Sequence, residues 1–190
     1  MDAAAIAVLV IGAIVVFVIG FVWLLYNGLV RSKMQVEEAW SGVDVQLKRR
    51  ASLVPNLVET VKGYAQHERE VFENVTKARA ALSSAGDAKS AAQADNMLTG
   101  ALKTLFAVAE AYPELKAQQS FQSLQNELSD IEEKIAYARQ FYNRNVMSYN
   151  IKIAVFPNVL LAGVFGFEEA DFFAATDEER ADIKVSFARG

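Results

Sequence analysis

The sequence predicts an all-α protein in which an N-terminal transmembrane helix precedes a long antiparallel, coiled-coil-like bundle of three to four helices. Three observations predict it. The first 30 residues hold a long uncharged apolar run, most of the remainder carries apolar residues at alternating three- and four-residue spacing, and nothing before Ile183 alternates convincingly with a period of two. A length of 190 residues suits one domain plus an anchor and excludes a large multidomain enzyme. The expected organisation is an anchor over 1–27, a bundle over 28–155 with helices at about 28–84, 88–112 and 114–155, and an aromatic-rich segment over 156–190.

The anchor runs from Ala3 to Tyr26 without a charge. At ~1.5 Å per residue such a run spans roughly 36 Å, more than the ~30 Å hydrocarbon core. Asp2 precedes it and Tyr26-Asn27-Gly28 follows, the opposite of the basic lead and small-residue exit of a cleaved signal peptide. Trp23 and Tyr26 stand at its end, where amphipathic rings favour the headgroup layer. Arg31, Lys33, Lys48, Arg49 and Arg50 all follow it, so the positive-inside rule puts the short N-terminus outside and the long domain in the cytoplasm. Gly12 and Gly20 are too far apart for a GxxxG contact and read as membrane-flexibility glycines.

The first long helix is read from a seam of Val36, Trp40, Val43, Leu47, Val54, Leu57, Val61, Tyr64, Val71, Val75, Ala78 and Leu82, with Arg50 and Glu68 as its charged members. Pro55 removes one backbone donor within it, yet the seam keeps its phase across the proline, which favours a kink over a turn. Gly86 then ends the helical run and Asp87 offers an N-cap. The second helix carries Met97 or Leu98, Leu102, Leu105, Ala109 and Tyr112 on one side and stops at Pro113. The third carries Phe121, Leu124, Leu128, Ile131, Ile135, Ala138, Tyr142, Asn145 and Tyr149, and ends before Phe156-Pro157. Two arrangements stay open: two long antiparallel paths, or an up-and-down four-helix bundle broken at both Pro55 and Pro113.

Six of the 12 phenylalanines fall from Phe156 onward, Phe156, Phe165, Phe167, Phe172 and Phe173 among them, too dense for a solvated tail. Three covers are open: the bundle end, the bilayer interface, or another copy of the chain. Thr176 to Glu179 has capping-box spacing for a short helix, and Ile183 to Phe187 alternates as an extended strip.

Site chemistry is sparse. A net charge of −4 gives no field for a nucleic-acid backbone, and the absence of cysteine excludes disulfides and thiolate metal sites. An active site would start at His67 and Glu68, but helical neighbours diverge by about 100°, which misdirects a base from its carboxylate. No P-loop, zinc-protease, dinucleotide or nucleophile-elbow motif is present, so no catalytic residue, metal or cofactor is expected. The polar seam residues Arg50, Glu68, Glu132, Arg139, Asn143 and Asn150 instead read as register-fixing groups, with Arg50 or Arg139 meeting Glu68 or Glu132 across the bundle.

Several stretches resemble a known family. Tyr26-Asn27 with Leu29-Val30, Ala39-Trp40-Ser41, and Asp44-Val45-Gln46-Leu47-Lys48-Arg49-Arg50 followed by Leu53-Val54-Pro55-Asn56-Leu57-Val58 look like the signature of the LemA family of bacterial membrane proteins. Tyr64-Ala65, His67-Glu68, Thr76, Arg79, Arg139, Tyr142-Asn143, Tyr149-Asn150, Phe156-Pro157 and Gly166-Phe167 continue the match. The resemblance implies an N-terminal anchor, a long helical domain and a bacterial inner-membrane location. It implies no established activity and supplies no catalytic residues. The expected function is a structural or scaffolding protein that contacts the lipid bilayer and forms a homo-oligomer, the alternative being an adaptor for a second membrane protein such as a protease or transporter.

Overall fold

The computed structural model describes residues 2–173. The short helix and strip expected within 176–187 lie outside the described residues. Six helices follow in order: α1 (Ala3–Lys62), α2 (Arg69–Ser84), α3 (Ala88–Glu110), α4 (Pro113–Ala117), α5 (Gln119–Ala154) and α6 (Asn158–Phe165), and the described residues contain no strand. The all-α class is as the sequence predicts. One of these helices, α1, is long and apolar enough to cross a membrane, and most of its large apolar residues before Tyr26 are exposed, with Phe17 73% and Leu24 72% accessible.

Pro55 neither ends nor divides α1, which continues to Lys62, as the unbroken seam favours. The missing N–H of Pro55 leaves the Ala51 carbonyl without its helical donor, and Arg79 Nε of α2 donates to that carbonyl at 3.0 Å. The first path instead breaks between Lys62 and Arg69. Gly63 is a poor helix former there, Ala65 is buried, and Gln118 Nε2 donates to the Tyr64 hydroxyl at 2.7 Å. At the second proline the chain does turn, with Pro113 at the first position of α4, and Gln118 separates α4 from α5.

The chain forms two compact units. One contains the chain up to Ser41 together with Gln140–Asp171. In it the stretch of α1 over 28–40 and the end of α5 run antiparallel: Trp40 lies 5.5 Å from Tyr142, while Lys152 Nζ donates to the Gly28 carbonyl (2.7 Å) and Ser32 Oγ (2.8 Å). Leu29, Val36, Val146, Tyr149 and Ile153 form its buried stripe.

The other unit contains Gly42–Arg139 with Phe172 and Phe173. Its core is built from the seam positions Val43, Leu47, Val54, Leu57, Val61, Val75 and Leu82 with Leu98, Leu105, Leu128, Ile131 and Ile135. α2 and α3 form a hairpin closed by a reciprocal cap, in which the Ser90 N–H donates to Asp87 Oδ1 (2.8 Å) and the Asp87 N–H to Ser90 Oγ (3.3 Å).

Candidate functional site

The most deeply buried charges among the described residues are Arg50 and Asp95, 4% and 2% exposed. Arg50 Nη1 of α1 donates to Asp95 Oδ1 of α3 at 2.7 Å. Burial pushes the Asp95 carboxyl above the ordinary aspartate range. The Arg50 guanidinium, by charge and hydrogen bond, pulls it back, Arg139 helps, and Glu132 adds to the upward push. A cavity of about 220 Å³ adjoins the pair, lined by Arg50, Thr99, Lys103, Gln125, Ser129 and Glu132 among others. Beside it, Arg139 stands over the Phe173 ring at 4.8 Å, the geometry of a cation–π contact.

For Arg50 this corrects the expected pairing. Arg50 meets Asp95 rather than Glu68 or Glu132, and Glu132 is exposed at the cavity wall. Glu68 is not a helical seam residue at all. It caps α2 without a side-chain hydrogen bond, and His67 is exposed in the same connection. The groove beside α2 is lined by Lys62, Gln66, Arg69, Phe72, Glu73 and Thr76 with others, not by His67 or Glu68. Asp95 was legible in principle, because it occupies a seam position between Ala91 and Leu98 and is the one acid on that buried stripe of α3.

In the unit that carries the anchor, the polar residues of α5 hold backbone instead. Asn150 donates from Nδ2 to the Ala170 carbonyl at 3.0 Å and accepts the Ala170 N–H at Oδ1 at 2.9 Å. Tyr142 donates its hydroxyl to the Asp171 carbonyl at 2.8 Å. These bonds clamp the extended stretch after α6 against α5, in the way a strand pair would. Asn143 is half-buried on the same helix. The anchor residues Ala3, Gly12 and Trp23 are exposed, Gly20 is half-buried, and Tyr26 packs edge-on against Phe165 and Phe167, with centroids 5.0 and 5.8 Å away.

The phenylalanines divide accordingly. Phe173 is buried and Phe167 half-buried, whereas Phe156, Phe165 and Phe172 are exposed. Among the described residues no group of three or more His, Cys, Asp or Glu side chains is placed to hold a metal ion. Chemically, the buried pair fixes which helices meet, and the amide clamp fixes where the C-terminal stretch lies.

Comparison with known proteins supports a common family. The LemA family model matches residues 39–187. Protein LemA of Metamycoplasma hominis is 28% identical over 183 residues, covering 92% of this chain and 82% of that protein. Magnetosome protein MamQ 2 of Paramagnetospirillum magneticum is 26% identical over 174 residues, and MamQ of Magnetospirillum gryphiswaldense 25% over the same length. Each alignment covers 78% of this chain but 64% of the magnetosome protein, so the chain spans less than two thirds of their length. With its apolar N-terminal helix and helical body, the chain belongs to the LemA family and is a membrane-associated helical protein.

Proposed function

We propose that the protein is a structural, non-enzymatic component of the bacterial inner membrane that self-associates through its helical surface, with its short N-terminus outside and its helical body in the cytoplasm. One observation carries self-association: an apolar stripe on α5 that no described residue covers. Phe141, Met147 and Ile151 are 49–57% exposed, and at helical spacing they share about a third of the helix circumference with Arg144 and Ser148. Monomeric proteins rarely leave such a stripe open to water. The side-chain chemistry of the buried polar groups supports the structural reading, since the Arg50–Asp95 pair and the Asn150 clamp each satisfy another part of the chain. The basic residues after the anchor support the orientation.

The chain has no cysteine, which makes single-site crosslinking direct. Met147→Cys in the full chain, reconstituted in vesicles, is expected to give a disulfide-linked dimer on mild oxidation, and light scattering of the detergent-extracted protein a uniform multiple of the monomer mass. A monomeric mass and no crosslink would overturn self-association and favour the adaptor, which a stoichiometric partner recovered from membranes would then identify.

A further inference from the structure

The helix α6 has the sequence Asn158-Val159-Leu160-Leu161-Ala162-Gly163-Val164-Phe165 and carries no charge. Its rotation is fixed by burial of Asn158 and Ala162 on one side, where Asn158 Nδ2 donates to the Lys152 carbonyl at 2.9 Å. The opposite side presents Leu160 and Val164, 63% and 78% exposed, and Phe156 in the turn before the helix is 78% exposed. A soluble surface helix shows the reverse pattern, polar residues outward.

Three features identify what covers this face. First, α6 leaves α5 at a bend of 100°, and the end of α5 runs antiparallel to the anchor helix, so α6 lies across the anchor axis. Second, its C-terminal Phe165 joins Val18, Ile19, Val22, Trp23 and Tyr26 in one apolar groove, making its surface continuous with the exposed anchor surface at the level of the aromatic pair. Third, the side held by Asn158 faces the Lys152 end of α5, and Leu160 and Val164 lie on the opposite side of the helix. Gly166, in the left-handed conformation at φ 70°, then turns the chain away, and the exposed acids Glu168, Glu169 and Asp171 follow at once. Those acids limit how deep α6 can sit, because charged groups stay in water.

We propose that α6 is a second membrane-contacting element, an in-plane helix lying in the interfacial layer of the leaflet from which the anchor emerges, with Phe156, Leu160 and Val164 against the acyl chains. The occupant of the face is lipid. The arrangement resembles that of interfacial helices, which bury an apolar side a short way into the headgroup boundary. It holds whether or not the chain self-associates.

Single cysteines at Leu160 and Val164, carrying nitroxide labels in the full chain, test it in vesicles of phosphatidylcholine and phosphatidylglycerol. Phe17→Cys in the anchor and Met97→Cys on the exposed side of α3 serve as references. Collision with oxygen relative to a water-soluble nickel chelate is expected to be several-fold higher at Leu160 and Val164 than at Met97, approaching Phe17. A ratio equal to that at Met97 would overturn the proposal by placing α6 in water. Low collision with both reagents, with spin broadening that disappears on dilution by unlabelled protein, would overturn it in favour of a second copy as the cover. The label at Phe17 reports separately whether the anchor is inserted, so a failure of α6 is distinguishable from a failure of insertion.

Discussion

The two units solve the same problem, polar side chains on a buried helix stripe, by opposite means. In the unit without the anchor, charge meets charge, with Arg50 and Asp95 nearly sealed from solvent. In the anchor-bearing unit, Tyr142 and Asn150 bind the backbone of a neighbouring stretch and Lys152 a helix carbonyl. A buried ion pair specifies which helices meet, because any slipped pairing strands a charge. A side chain bonded to backbone specifies where a segment without periodicity lies, and a change of side chain at Ala170 or Asp171, proline at Ala170 excepted, leaves the bonding groups in place. The contrast teaches that helix choice in this fold is written in side-chain pairs, and the path of the C-terminal stretch in amide groups.

The largest effect expected is loss of one member of the ion pair. Arg50→Met or Asp95→Leu alone strands a buried charge and should cost about 3–5 kcal/mol, read as a lowered midpoint in thermal melts of the detergent-solubilised full chain. The double variant should recover most of that loss, since an apolar pair of similar volume removes both desolvation penalties together. An additive double variant would show that the two residues act separately and would erase the contrast between the units.

Next in size is the carbonyl freed by Pro55. Arg79→Leu leaves the Ala51 carbonyl without its donor and should cost about 1–3 kcal/mol. Adding Pro55→Ala restores the helical N–H, so in that background Arg79→Leu should cost much less. Equal costs in both backgrounds would mean that Arg79 stabilises by packing alone.

Smaller again is the clamp. Tyr142→Phe removes one hydrogen bond worth about 1 kcal/mol, and Asn150→Ala removes two. The readout that isolates them is hydrogen exchange at the Ala170 amide, whose N–H the Asn150 side chain accepts. Exchange there should accelerate in both variants while amides of α3 keep their protection. Uniform acceleration throughout would show that the clamp is part of the global fold.

The residues themselves explain what was legible. The all-α class, the anchor, the extent of α3 and the Asp87 cap all follow from local patterning, which a sequence displays directly. The break after Lys62 was hidden because Val61, Tyr64 and Val71 keep heptad spacing across it, although Tyr64 lies in a turn. Pro55 looked like the place to bend, since the donor that compensates it comes from Arg79, 28 positions away from Ala51. Spacing marks Arg50 as a register residue but does not name Asp95 as its partner: spacing finds the stripe, and only packing decides which stripe faces it. The bonds of Asn150 and Tyr142 to the stretch after α6 left no periodic trace.

The smallest expected effect is the dependence on pH, and in the unit without the anchor it comes from two carboxyls that shift in opposite directions. Asp95 titrates above the ordinary aspartate value of about 3.9, because burial disfavours its charge. The folded state then holds that proton more tightly than the unfolded chain. The stability it contributes is therefore full below the ordinary value and is lost as pH rises through the raised one. Asp87 shifts the other way, because the Ser90 N–H favours its charged form, so its contribution is present above the ordinary value and is lost as pH falls through the lowered one. The clamp is made by an amide and a phenol, neither of which changes protonation in acid. Asp87→Asn should flatten the acid limb of the melting curve, and Arg50→Met should carry the Asp95 window to higher pH by removing the charge that restrains it. Exchange at Ala170, corrected for its intrinsic pH dependence, should stay level across the same range. A matching tilt there would mean that the clamp draws on the ion pair, and that the two units share one electrostatic network.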